Sequence, residues 1–268
     1  MKTLIFVWTQ KFCNLNVTQT ENRYGLGDML RGTIGALRYC EERGYEFILD
    51  MSLHPLSQLF LHKPHRFSDL IQNNKDTIKF IPCGYTLNYI DLEFEGKDLV
   101  YFFSNFNLDT YDIPASPYIK ERIRDILTPN EMFESYLTEL RSKLPRPLYV
   151  LHFRLGDECL ILEKPPNMQG YIDFIKGVKD SNPNFNFTLM SDSSKLKELT
   201  KDIVFTLEGS PVHVGSDTTL ELLKYTVGEF MILRESRMIY TYSVYFWVSG
   251  FVKLINYIYD VQIQNLRT

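Results

Sequence analysis

The sequence predicts an α/β protein of two doubly wound, Rossmann-like domains that face each other across a cleft. Three observations carry that expectation. Short apolar runs rich in β-branched and aromatic residues, the mark of strands buried on both faces, alternate with helical periodicity in both halves. Residues 3–50 read as strand, loop, helix, strand, a βαβ unit that requires a parallel sheet. Between the halves, "LPRPL" (Leu144–Leu148) sets two prolines within three residues. That breaks a helix and marks a boundary, giving an N-terminal domain over 1–145 and a C-terminal domain over 146–268.

In chain order, "TLIFVWT" (Thr3–Thr9) is the first buried strand, and a polar loop runs from it to about Tyr24. In "GLGDMLRGTIGALRYCEERG", Leu30, Ile34 and Leu37 recur at helical spacing and Gly44 is the stop signal. "YEFILD" (Tyr45–Asp50) is the second strand, with further strands over Thr77–Pro82 and Leu99–Ser104. Ser116 caps a helix with Pro117 in its first position, and Thr128 caps another with Glu131 at the capping-box position.

The second half repeats the alternation. Strands are expected over Leu148–Phe153, Phe185–Ser191, Asp202–Leu207 and Arg237–Thr241. Helices are expected near Gln169–Lys179, in "DSSKLKELT", in "TTLELLKYTVGEFMIL" and over Tyr242–Tyr259. The last is apolar nearly all round, as a helix between layers or one bridging to the first domain is.

Composition sets the outer limits. Of 268 residues, 44% are hydrophobic and 23% charged, enough for sizeable cores. The net charge of −4 argues against nucleic-acid binding, which needs a basic footprint, but leaves room for a local basic pocket. Aromatic residues reach 14%; most belong in cores, and some are candidates for stacking on sugars or bases. Cys13, Cys40, Cys83 and Cys159 form no C-x-x-C pair and read as free thiols of a reducing compartment. The first apolar run is too short for a signal peptide or a membrane span, so a cytoplasmic protein without a span is expected.

The chemistry-bearing residues gather at strand exits. "HFRLGD" follows the C-terminal domain's first strand. His152 and Arg154 share a strand face, a guanidinium there suits a pyrophosphate, and Asp157 can orient Arg154 or act on a substrate hydroxyl. A buried histidine with a structural Arg–Asp pair explains the same residues. "GLGDMLRG" opens a helix. Gly25 and Gly27 allow close backbone approach to an anion, and Asp28 is either an N-cap or a base facing the cleft. In "MSDSS", Ser191 or Asp192 caps a helix or meets a nucleoside. The loop with His213, Ser216, Asp217, Thr218 and Thr219, and the segment "TYSVYFW" (Thr241–Trp247), repeat the arrangement.

Taken in order, "GLGDMLRG", "HFRLGD", "SDSS", "HVGSD" and "YSVYFWVSG" resemble the motifs of the fucosyltransferase superfamily of GT-B glycosyltransferases, the α1,2-, α1,6- and protein O-fucosyltransferase group. The resemblance spans residues 24–255. It implies a GT-B-like fold, a GDP-fucose donor, a glycan or glycoconjugate acceptor, no metal or other cofactor, and inversion at the anomeric carbon. By resemblance Arg154 binds the β-phosphate, His152 the nucleotide or its phosphates, Asp192 the nucleoside and Ser243 a phosphate. The sequence departs from the S-x-F-S-like pattern, with Val244 for the phenylalanine and Tyr245 for the second serine. The lack of an anchor run suggests a bacterial or viral form. The catalytic candidates are thus Arg154, Asp28 and Asp157; the donor-binding candidates are Gly25, Gly27, His152, Arg154, Ser191, Asp192, His213, Thr218 and Ser243. Two alternatives stay open: another nucleotide sugar, such as a UDP-pentose or rhamnose donor, and a non-catalytic glycan- or nucleotide-binding module.

Overall fold

The structure is a computed structural model. It describes the chain except residues 15–16, 22–23, 83–85, 106–112, 157–166, 215–218 and 268, and describes the backbone alone at 14, 17–21 and 86–88. The chain divides into two units, Met1–Asn130 and Glu131–Thr268.

The first unit holds β1 (Thr3–Thr9), β2 (Lys11–Asn14), β3 (Val17–Glu21), α1 (Leu26–Arg43), β4 (Glu46–Leu53), α2 (Ser68–Asn73), β5 (Lys79–Phe80), α3 (Thr86–Glu93), β6 (Leu99–Phe103) and α4 (Pro117–Ile126). The strands line up as β3-β2-β5-β6-β1-β4. Every pairing is parallel except that of β2 with β3. All of β1 is buried, which is why its sequence is apolar without alternation. α1 ends where Gly44 takes φ 64° and donates its N–H to the carbonyls of Cys40 and Glu41. Gly32 presses α1 onto the exit of β6: a Cβ there would stand 2.0 Å from the Ser104 carbonyl oxygen. Ser116 Oγ accepts from the Ile119 amide with Pro117 in the first turn, as expected.

Three expectations need correction here. The stretch read as a polar loop after β1 contains β2 and β3: β3 forms the sheet edge, where no apolar run is required, and β2, between β3 and β5, is only four residues long, with Phe12 its one deeply buried described side chain. The strand expected over Thr77–Pro82 is reduced to Lys79–Phe80. The helix expected from Thr128 begins at Glu131, as α5 (Glu131–Lys143). Thr128 instead gives its carbonyl to the Leu61 amide and its hydroxyl proton to the Arg124 carbonyl, and Pro129 bridges Phe60.

The second unit holds α5, β7 (Tyr149–Arg154), α6 (Met168–Ser181), β8 (Phe187–Ser191), α7 (Ser194–Thr200), β9 (Phe205–Thr206), α8 (Leu220–Leu233), β10 (Met238–Ser243), α9 (Gly250–Tyr259) and β11 (Gln262–Asn265). The division falls before α5 and not at 145/146 because α5 packs on α8. Gly228 lets them approach, since a Cβ there would stand 3.0 Å from both Leu140 and Tyr136, and Arg141 Nε bonds Glu235 at 2.7 Å.

This sheet is wholly parallel, in the order β11-β10-β7-β8-β9. The chain enters at the centre with β7, builds outward through β8 and β9, then returns to β7's other side for β10 and β11. That is doubly wound order, with its switch point between β7 and β10. Phe153, Ile175, Phe187, Leu189 and Leu196 pack in one core. Two expectations shift: β9 keeps two residues of the six expected, and the final helix starts at Gly250, eight residues after Tyr242. Residues 244–249 instead turn away from the exit of β10. The apolar face of α9 packs on α8 and β11 within this unit. None of the described helices is long and apolar enough to cross a membrane.

Candidate functional site

The switch point of the second sheet brings five of the expected residues to one edge. β7, β8 and β10 end side by side, with Arg154 paired to Ser243 and Phe153 paired to Ser191 in register. In an open parallel sheet this is where ligands bind, because the two neighbouring loops diverge to opposite faces and leave a crevice.

Arg154 projects from the last position of β7. Its Nη1 donates to Asp192 Oδ2 at 2.6 Å. The same carboxylate accepts the amide hydrogens of Leu155 (2.7 Å) and Gly156 (3.0 Å). Asp192 is nearly buried, and burial pushes its carboxyl up against the pull of Arg154 and the two amides. Neither Asp192 nor Ser191 caps α7. Ser193 does, its Oγ accepting from the Leu196 amide. That leaves Asp192 to fix the guanidinium and the peptide after β7; a nucleoside bound to it would share oxygens already taken. Ser191 is buried, donates to the Phe153 carbonyl at 2.8 Å and accepts from the Ser193 amide. Its hydroxyl proton ties β8 to β7.

On the other flank, the Val244 amide donates to the Arg154 carbonyl at 3.0 Å. Ser243 Oγ accepts from the Tyr245 amide at 3.2 Å, which leaves its hydroxyl proton for an oxyanion. His152 is buried two residues before Arg154, with Nδ1 3.3 Å from Thr241 Oγ1. Burial, reinforced by Arg154, lowers its pKa to about 3. It therefore offers a neutral imidazole and no positive charge to a phosphate. His213 lies half-buried on the loop after β9, where the neighbouring Val212 amide donates to Thr226 Oγ1.

The remaining candidates lie elsewhere. Asp28 sits in the first turn of α1, paired with Arg31, whose Nε donates to the Asn105 carbonyl at the exit of β6. The N-cap is Gly25, in extended conformation and without a side-chain cap, so the capping reading of Asp28 falls away. Gly27 is within the same turn. Gly25, Gly27 and Asp28 thus belong to the first unit and the Arg154 cluster to the second. Asp157 and Thr218 lie outside the described residues.

Two residues were missed at this edge. Gly156 has φ 96°, and a Cβ there would meet Tyr245 Oη at 3.1 Å and Val244 Cγ2 at 3.2 Å. A glycine is required by both conformation and space. Its place inside "HFRLGD" was a signal that could have been read. Arg267, near the C-terminus, donates from Nη1 to the carbonyls of Ser243 (3.2 Å), Val244 (2.9 Å) and Tyr245. Nothing in the local sequence marks it, because its partners lie more than twenty residues away.

No protein-family model matches the sequence, and no curated protein matches it. Solved structures do. NodZ α-1,6-fucosyltransferase co-crystallised with GDP superposes with TM-score 0.59 at 10% identity, covering 98% of this chain and 93% of that one. The NodZ structure from Bradyrhizobium gives the same TM-score and identity. A variant of Arabidopsis thaliana FUT1 in complex with GDP gives 0.58 at 10% identity, over 99% of this chain and 70% of that one. POFUT1 in complex with GDP gives 0.56 at 10% identity, over 100% and 98%. The chain has an α/β fold with two parallel sheets that matches fucosyltransferase structures, and the likeness named from the motifs holds at the level of fold.

Proposed function

We propose that the chain is a glycosyltransferase that moves L-fucose from GDP-fucose to a glycan hydroxyl, without a metal and with inversion. The observation that carries this reading is Arg154 at the switch point of the doubly wound sheet, its guanidinium held in place by Asp192 at the strand exits where such sheets bind ligands. The fold neighbours solved with GDP support the choice of donor.

The step follows from charge. The bond from the sugar's anomeric carbon to the β-phosphate oxygen breaks, and its electron pair leaves with GDP. Arg154 and the Ser243 hydroxyl meet that growing charge with preorganised donors. An acceptor hydroxyl oxygen bonds the anomeric carbon from the opposite face, and its proton passes to a carboxylate. Asp28 and Asp157 are the two candidates, and Asp28→Asn and Asp157→Asn would tell them apart. His152, uncharged, serves as a hydrogen-bonding wall behind Arg154.

Thermal unfolding with GDP, UDP, GDP-fucose and UDP-sugars at matched concentration tests the reading. A ligand at about a hundred times its Kd adds roughly 2.7 kcal/mol of stability. The expected result is a rise in Tm with GDP and GDP-fucose, together with release of GDP from GDP-fucose on adding acceptor. A rise with UDP species alone would replace the donor. Absence of a rise with every one of these ligands would overturn the Arg154 pocket.

A further inference from the structure

We propose that Tyr245, Phe246 and Trp247 form a platform that binds an uncharged sugar ring of the acceptor beside the Arg154 site. The proposal rests on the transferase reading above and names what that site takes as its second substrate.

The three aromatics leave β10 in the turn that replaces the expected helix start. Tyr245 and Trp247 stack face to face, with centroids 4.8 Å apart and planes 3° apart. Phe246 stands at 87° to Trp247 with centroids at 4.5 Å, which makes a right-angled aromatic corner. Phe246 is 89% exposed and Trp247 47% exposed. Single exposed apolar side chains are ordinary, but adjacent aromatic rings held in water at the rim of a crevice make a patch of the kind that contacts ligands.

The corner is also held in place. Arg267 gathers three successive carbonyls, those of Ser243, Val244 and Tyr245, on one nitrogen, and the Tyr245 amide is tied to Ser243 Oγ. The rings are thus presented by a braced backbone, and little ordering remains to be done when a ligand arrives.

Charge and position identify the occupant. From Met238 to Val252 the chain has no ionisable acid or base other than tyrosine, so the rings themselves carry no charge, and the nearest cation, Arg267, is turned to the backbone carbonyls beneath them. Aromatic faces suit the C–H face of a pyranose, whose hydroxyls then point outward to polar partners. A nucleobase also stacks, but Tyr245 leans on Gly156, two residues beyond Arg154. If Arg154 grips the β-phosphate, that is the transferred-sugar end of the donor and not its base end.

Tryptophan emission makes the test direct. The chain has two tryptophans, and Trp8 is fully buried with its Nε1 donating to Thr33 Oγ1. Iodide quenching therefore reads Trp247. The full chain is titrated with cellotetraose, chitotetraose, N-acetyllactosamine and GDP, and GDP binding is followed separately by Tm. The expected result is that at least one neutral sugar shields Trp247 saturably, GDP alone does not, and Phe246→Ala weakens that sugar about ten-fold while keeping the GDP shift. A GDP shift with no sugar shielding Trp247 would overturn the platform and leave the donor reading standing. Shielding by GDP alone would make the corner a base shelf and overturn it too. Sugar shielding without a GDP shift would support the platform and sink the donor reading.

Discussion

Arg154 and Asp192, at the exits of neighbouring strands, are joined by a 2.6 Å bond from Nη1 to Oδ2, and the same carboxylate takes the amides of Leu155 and Gly156. The pair does two things at once. It neutralises a nearly buried acid, and it sets the direction in which a guanidinium faces the crevice.

Arg154→Ala is expected to cut sugar transfer by about 10²–10³, the usual effect of losing one preorganised donor to a developing oxyanion. It also leaves Asp192 without its cation, so a modest fall in Tm accompanies it. Arg154→Lys keeps the charge but not the fork, and should restore Tm more than turnover. Parallel kcat and Tm measurements check this. Recovery of both together by lysine would show that a point charge suffices there and that the guanidinium fork is not used.

Gly156→Ala is expected to destabilise by about 1–3 kcal/mol, because φ 96° is a region that side chains rarely adopt. The new methyl also meets Tyr245. Adding Tyr245→Ala should relieve the contact but not the backbone strain, so the double variant recovers only part of the urea midpoint. Full recovery would locate the whole cost in the ring.

These residues show what the sequence discloses and what it does not. β1 and β7 were legible because a strand buried on both faces must be apolar throughout. β2, β3 and β11 were not: β3 and β11 are edge strands, which need no such run, and β2 is too short to show one. The Arg154 edge was legible from residue types at strand exits. The division of roles within it was not: whether Ser191, Asp192 or Ser193 caps α7 depends on which oxygen reaches which amide. The aromatic corner was hidden by its own composition, because an apolar stretch next to a helix reads as more helix.

Acid should weaken the protein through two histidines. Burial, with Arg154 adding to it, lowers the His152 pKa to about 3, and burial lowers that of His54 to about 4. Between those values and the ordinary 6.5, the unfolded chain binds protons that the folded chain refuses, so stability falls as pH drops. At pH 5 each histidine is worth a loss of about 2 kcal/mol relative to pH 8. Urea midpoints of the wild type and of His54→Gln at both pH values check this. The variant should lose less between pH 8 and pH 5, and an equal loss would refute the assignment for His54.

Lys197, Tyr225 and Glu229 form a buried charged cluster behind the loop after β9. Lys197 Nζ donates to the Gly209 carbonyl at 2.8 Å, to Tyr225 Oη and to Glu229 Oε1 at 3.4 Å, and Tyr225 donates to the same carboxylate at 2.6 Å. Burial already raises the Glu229 carboxyl, with Lys197 and Tyr225 holding it down. Lys197→Met removes the cation and is expected to cost about 3–5 kcal/mol at pH 8, the range for breaking a buried pair on one side. The sign with pH follows. A carboxyl raised above its unfolded value binds its proton more tightly in the folded state, so the stability it contributes is present at low pH and lost as pH rises. The gap between wild type and Lys197→Met, measured at each pH by urea unfolding, should therefore narrow from pH 8 to pH 5. Lys197→Met/Glu229→Gln should recover part of the loss at pH 8 and flatten the pH dependence. A gap independent of pH would mean that the cost comes from the lost bond to the Gly209 carbonyl and not from a stranded charge.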